Sequence, residues 1–228
     1  YLKGAAWECL DTEGAEKNII KVIESGAADR VVLTRFIEPS EPVGVWKDYN
    51  EKYAAINADP VNAELTDGIA SYAERYPVFD KSKYSAFADP ALSQICRSAD
   101  RLVVCGVVAE CCVLATVMGA MDAGVKVIYL TDAVSGFTPA KEQAVLTVMS
   151  GEIPLHIETM SAGEYISSRR KMKFAQDRIL RKSIWSAKGR PPPEGVWSAK
   201  GRPSPEGLWP APVWIISLHI KGKYIEFK

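Results

Sequence analysis

The stretch Arg101–Ala133, RLVVCGVVAECCVLATVMGAMDAGVKVIYLTDA, limits what this chain can fold into more than any other. Val103, Val104, Val107 and Val108 make an apolar run of strand length. Glu110–Ala123 follows with helical spacing, and Gly124 is placed to end the helix. Lys126–Leu130 is a second β-rich run. Strand, helix and strand at this length make a βαβ unit, whose strands run parallel. A group just past the carboxyl end of a parallel strand, at a helix start, stands where open α/β sheets hold their ligands. Glu110, Cys111 and Cys112 occupy that bend. Backbone N–H groups and the helix dipole favour a thiolate there, so the bend offers a candidate nucleophile.

The rest of the chain repeats the alternation. Glu16–Ser25 puts Ile19, Ile20 and Ile23 on one helical face, and Gly26 follows as a stop. Val31–Phe36 reads as a strand. Val45–Ile56 reads as a helix with Trp46, Tyr49 and Tyr53 at spacings of three and four, and Glu64–Arg75 as a helix or helical loop. Val78–Phe79 starts a short strand leading to Lys81. Pro90–Ser98, Pro139–Met149 and Ser161–Ser168 read as helices and Leu155–Thr159 as a strand. The alternation predicts an α/β fold, a three-layer Rossmann-like parallel sheet with helices on both faces. The 228 residues hold one such domain and an appendage.

The appendage begins where composition changes. Residues 1–168 are expected to form the α/β domain, and 169–212 a basic, Pro/Gly-rich linker. Arg169–Lys173 is expected to be a solvated helix face. WSAKGRPPPEGV (Trp185–Val196) repeats as WSAKGRPSPEGL (Trp197–Leu208), too short and too polar for a solenoid. It reads as an extended linker or disordered tail. Residues 213–228 open with the β-prone run VWIISLHI. A strand at the end of such a linker must find a sheet edge, a partner or an aggregate. The main expectation is a tail outside the fold.

Charge and cysteine usage narrow the function. The 28 basic and 28 acidic residues balance, which argues against a nucleic-acid partner. No apolar run approaches the ~20 residues of a membrane span, and no signal-peptide pattern opens the chain. The cysteines at 9, 96, 105, 111 and 112 are odd in number and without paired CxxC spacing. Neither a disulfide framework nor a zinc site is indicated, and a reducing, cytoplasmic setting fits. Only His156 and His219 are present, too few for a histidine triad or histidine-rich metal site. No cofactor or metal is expected.

Three segments resemble one family, the isochorismatase-like cysteine hydrolases, whose relatives include nicotinamidases. GVVAECCVLAT (Gly106–Thr116) is similar to the family's nucleophile turn, in which the cysteine directly precedes a valine. DKSKYSAF (Asp80–Phe87) is similar to its lysine followed by an aromatic-Ser-Ala-Phe block. TRFIEPSEPVGVWKDYNEKY (Thr34–Tyr53) looks like the loop and helix after the second strand in members without a metal site. The resemblance covers roughly Trp7–Ser168. It implies Cys112, not Cys111, as nucleophile and Lys81 as the catalytic lysine. It also implies a non-proline cis peptide between Val107 and Val108, with the N–H groups of Val108 and Cys112 as an oxyanion hole. The family commonly forms oligomers, so a homo-oligomer is expected.

Two departures qualify the resemblance. The family's triad begins with an aspartate ending a first strand, and no such strand precedes Trp7; Asp11 lies in the wrong context. The chain reads as a domain starting after that strand, with activity impaired by the missing acid. Glu110 is a possible substitute. VWIISLHI is a second possibility: running parallel in the vacated place, it would bring Ser217 near the aspartate's position. The Asp and two His of the nicotinamidase pattern are also absent after the second strand. The implied chemistry is a metal-independent cysteine hydrolase of a small amide or related C–N substrate. The alternatives are a non-catalytic truncated relative that binds a ligand or partner, and a vinyl ether hydrolase. Tyr84, Phe87, Trp46 and Phe137 are the candidate substrate-binding residues.

Overall fold

The computed structural model describes residues 1–150, 155–187 and 213–218. Helix α1 is Thr12–Glu24, strand β1 Arg30–Phe36, α2 Val45–Lys52, β2 Val78–Lys81, α3 Pro90–Arg97 and β3 Arg101–Val107. These are followed by α4 at Leu114–Asp122, β4 at Lys126–Ser135, α5 at Pro139–Ser150, β5 at Ile157–Met160, α6 at Ala162–Ala187 and β6 at Val213–Leu218. The strands form one sheet of order β2-β1-β6-β3-β4-β5, with every adjacent pair parallel.

Alternation along the central strands builds two cores. Val32, Leu102, Val104, Val127 and Tyr129 face one way and pack with Leu92, Val117, Val145 and Met149 of α3, α4 and α5. Val31, Leu33, Val103, Cys105, Ile128 and Leu130 face the other way, against Ile19, Val22 and Ile23 of α1 and Tyr165 of α6. Period-two alternation that is apolar on both sides is what a parallel sheet covered on both faces requires. The expected three-layer α/β architecture is therefore the one observed.

Local chemistry sets the helix ends. Asp11 caps α1, its carboxylate accepting from Gly14 N at 2.9 Å. Asp89 caps α3 by accepting from Leu92 N at 2.8 Å, with Pro90 at the first helical position. Gly124 has φ +74° just beyond α4, a left-handed stop that disfavours a side chain.

Glu64–Arg75 is a helical loop with one α-helical turn, Asp67–Ala70, whose preceding Thr66 side chain makes no capping hydrogen bond. Two expectations change. Helix α6 runs unbroken past 168 to Ala187. Its Arg169 is buried, not solvated: the guanidinium donates to Ala27 O and to Asp29. The proposed linker 188–212 and residues 219–228 lie outside the described residues. Val213–Leu218, expected in a tail, is instead a central strand between β1 and β3. Its neighbours supply ladder partners on both sides, which no edge offers. Among the described residues no helix is long and apolar enough to cross a membrane.

Candidate active site

Lys81 ends β2, beside Phe36 at the end of β1. Its chain is buried, 2% exposed, and its ammonium donates to Lys83 O and Tyr84 O at 3.0 Å each. The third contact is Cys112 Sγ at 3.2 Å. Two arrangements of one proton fit these partners. An ammonium uses three N–H groups, the last toward a thiolate; an amine uses two and accepts the thiol's proton on its lone pair. The contact is therefore built for proton exchange between sulfur and nitrogen.

Cys112 stands where β3 gives way to α4. Gly106, with φ +112°, bends the strand end, and the Val107–Val108 peptide is cis. Ala109–Val113 then makes one wide π-type turn, in which Val108 O accepts from Cys111 N and Val113 N. Such turns recur at functional sites because they re-aim a side chain. Cys112 itself is 5% exposed and belongs to the core cluster around Val113 and Val117.

The neighbouring cysteines are held differently. Burial, with Cys112 and Glu110 close by, pushes the Cys111 thiol up to about 11. Burial pushes Cys9 up to about 12. Glu110 braces the turn. It accepts from Phe137 N at 3.2 Å and lies 3.5 Å from Lys141 Nζ. Gly136 is close enough that a Cβ would come within 2.4 Å of Glu110 Oε2. No carboxylate is among the hydrogen-bond partners of Lys81 or Cys112 within the described residues.

Aromatic rings surround the pair. Phe36 lies 5.9 Å from Tyr84, 6.1 Å from Trp46 and 5.9 Å from Tyr49, centroid to centroid. Lys81 Nζ sits 5.5 Å from the Phe36 centroid, and Lys83 Nζ lies 4.3 Å from that of Trp46. The network continues through Tyr49–Tyr53 at 4.8 Å, Trp7–Tyr53 at 4.6 Å and Trp7–Phe137 at 6.3 Å. Tyr1 packs with Cys9, Val107 and Val108, and burial, with Cys112 nearby, raises its phenol well above the ordinary value. An open cleft of about 550 Å³ reaches Lys81 along Ile37, Glu38, Asp80 and Lys83.

Of the residues expected to bind substrate, Trp46, Tyr84 and Phe137 join this ring network. Phe87 does not; it packs against α4, 3.0 Å from the point a Cβ on Gly119 would occupy. Phe36, Trp7 and Tyr1 are additions. Phe36 follows from the strand-end rule, since it is the last residue of β1 beside Lys81. Trp7 and Tyr1 lie in a segment without period and carry no local signal. Among the described residues no group of three His, Cys, Asp or Glu is arranged to hold a metal ion.

Residues 1–161 match the family model described as the isochorismatase domain. Among solved structures, a cysteine hydrolase from Pseudomonas syringae is 22% identical with TM-score 0.62, covering 72% of this chain and 83% of its own. An isochorismatase-like hydrolase from Alkaliphilus metalliredigens is 18% identical with TM-score 0.55, covering 71% and 87%. An isochorismatase family protein from Burkholderia thailandensis is 14% identical with TM-score 0.56, covering 74% and 90%. At these identities the likeness is one of fold. No curated protein matches the chain.

Proposed function

The chain belongs to the isochorismatase domain family, and on that premise we propose that it is a cysteine hydrolase of a small amide or related C–N substrate. The observation that carries this reading is the buried 3.2 Å contact between Lys81 Nζ and Cys112 Sγ at the carboxyl ends of parallel strands. The thiol's proton passes to Lys81, and the sulfur attacks the substrate carbonyl carbon. The oxyanion is stabilised by N–H groups at the nucleophile turn, those of Val108 and Cys112 in this proposal. The C–N bond breaks as Lys81 protonates the leaving nitrogen, which leaves a thioester on Cys112. Water then adds to the thioester, Lys81 takes its proton, and the acid departs as the thiol re-forms. The ring network around Phe36, Trp46 and Tyr84 favours a substrate with a flat apolar group beside its carbonyl.

One observation favours a slower variant of this reading. Lys81 acts without a carboxylate partner among the described residues, so water activation rests on a group that also holds the thiolate. Loss of one member of such a catalytic unit costs on the order of 10³–10⁴-fold in rate. The expected protein therefore accumulates thioester and releases acid slowly. A panel of amide, carbamoyl and vinyl ether compounds, read by intact mass and product release, tests this. An acyl adduct is expected on Cys112 with the amides. Its rate of formation should fall at least ~10²-fold in Lys81→Met. Turnover that survives Cys112→Ala would sink the proposal, and turnover confined to vinyl ethers would reassign the reaction.

A further inference from the structure

Doubly wound sheets place the first strand of the sequence at the centre, beside the strand that opens the second half. Here the last described strand, β6, holds that place. It joins two halves. β1 and β2 stand on one side, with Lys81; β3, β4 and β5 stand on the other, with the nucleophile turn. Neighbouring strands are about 4.8 Å apart, so β2 and β3, three spacings apart, are separated by roughly 14 Å. Lys81 and Cys112 nevertheless meet at 3.2 Å. Their contact arches over the carboxyl ends of β1 and β6. The register agrees. Thr34, Leu218 and Gly106 are level. Lys81 pairs with Phe36, two residues past Thr34, and Val108 lies two past Gly106.

An empty central place leaves two geometries. The halves stand about 10 Å apart, or close to about 5 Å. The first is the present separation but leaves it with no ladder across the slot; the second brings β1 against β3 and draws Lys81 away from its present place over Cys112. An open slot also leaves backbone groups along Arg30–Thr34 and Arg101–Gly106 without their present partners. We propose that β6 is the spacer strand of the catalytic pair: seated between β1 and β3, the C-terminal arm sets the Lys81–Cys112 distance and so the reactivity of the nucleophile. The occupant is the chain's own segment. Residues 188–212 separate α6 from β6 in sequence. The slot is by the same geometry an acceptor for a parallel, apolar β-strand. The consequence for reactivity rests on the role proposed for Cys112; the strand's seat does not.

Two measurements test this. In the unaltered chain, hydrogen exchange should protect the amides of Ile215–Leu218 as strongly as those of Val103–Cys105, independent of protein concentration. In full-length Ile216→Pro, which removes a donor from a strand paired on both sides, Cys112 alkylation at pH 7 should slow at least tenfold. Its pH–rate profile should move to that of a thiol without a lysine partner. A synthetic APVWIISLHIK peptide should restore the unaltered profile. Rapid exchange of 213–218 beside a protected β3 overturns the proposal, as does an unchanged alkylation profile in the proline variant. Protection of Ile215–Leu218 that falls on dilution while β3 stays protected assigns the slot to a second copy and overturns it as well. Should Ile216→Pro not fold, Ile216→Gly, which keeps the backbone donor and loosens the strand, is read in the same assay, and an unchanged alkylation rate there overturns the proposal. Absence of turnover on every amide, with these results intact, would sink the hydrolase reading and leave the spacer standing.

Discussion

Cys111 and Cys112 are adjacent in sequence and chemically distinct in place. Cys112 has an amine at 3.2 Å; Cys111 has a buried setting, the Cys112 sulfur and the Glu110 carboxylate, which together push its thiol up to about 11. Near neutral pH, iodoacetamide should therefore modify Cys112 before any other cysteine. Labelling at Cys111 should rise only as pH climbs past about 10, and Cys9, pushed up to about 12, should lag further. Peptide mapping of briefly labelled protein checks the order, and labelling of Cys111 first at pH 7 would contradict it. The pair Lys81 and Cys112 was legible in the sequence, because each sits in a short motif at a strand end. The ring network was legible only in part. Trp46 and Tyr84 announce themselves beside those motifs. Phe87 shares the motif with Tyr84, yet one turn of 3₁₀ helix, Ala86–Ala88, points it at α4. A motif fixes where the chain passes; which way a ring turns depends on a neighbour, here Gly119, far along the chain.

Helices and strands were legible in type wherever an apolar period of two or 3.6 lasted a full element. Their ends followed caps, such as Asp89 and Gly124, more closely than apolar spacing. The long helix α6 shows the opposite case. Composition marks Arg169–Lys173 as a basic, solvated surface, and Phe174 is indeed exposed. Arg169 points inward because the loop before β1 offers it a carbonyl and a carboxylate, Ala27 O and Asp29. Both lie about 140 residues earlier, beyond any local pattern. The Arg169–Asp29 pair and the Tyr165 hydroxyl, which donates to Ala27 O at 3.1 Å, pin the first turns of α6 to that loop. Arg169→Ala should cost about 1.5 kcal/mol, the lower end for a charged hydrogen bond that loses its donor. The low end applies because Tyr165 still satisfies the carbonyl and Asp29 is partly open to water. Urea unfolding should show the lower midpoint with an unchanged slope. A shift below about 0.3 kcal/mol would mean that α6 is held by its apolar face alone.

At the scale of the whole molecule, the parallel α/β sheet was legible, and its central strand only as the second possibility for VWIISLHI. Reading in sequence order assumes that consecutive elements lie side by side, which holds for most pairs. It holds here for β3, β4 and β5, and fails at the centre, where Ser217 pairs with Cys105 across more than a hundred residues. The sheet's continuity runs through β6, so the cooperativity of the fold is concentrated at one seat. Cys105 reports on that seat. It lies on β3 next to β6, 1% exposed, and burial raises its thiol far above the ordinary range. It can react only when the centre of the sheet opens. If β6 unseats only as the molecule unfolds, the free energy from native-state labelling of Cys105 should equal that from loss of helical signal. The urea slopes of the two should also match. If the arm leaves by itself, Cys105 should open at a distinctly lower free energy with a smaller slope. The first outcome is expected, because unseating β6 gives up ladder bonds on both sides at once and parts the halves that hold Lys81 and Cys112 together.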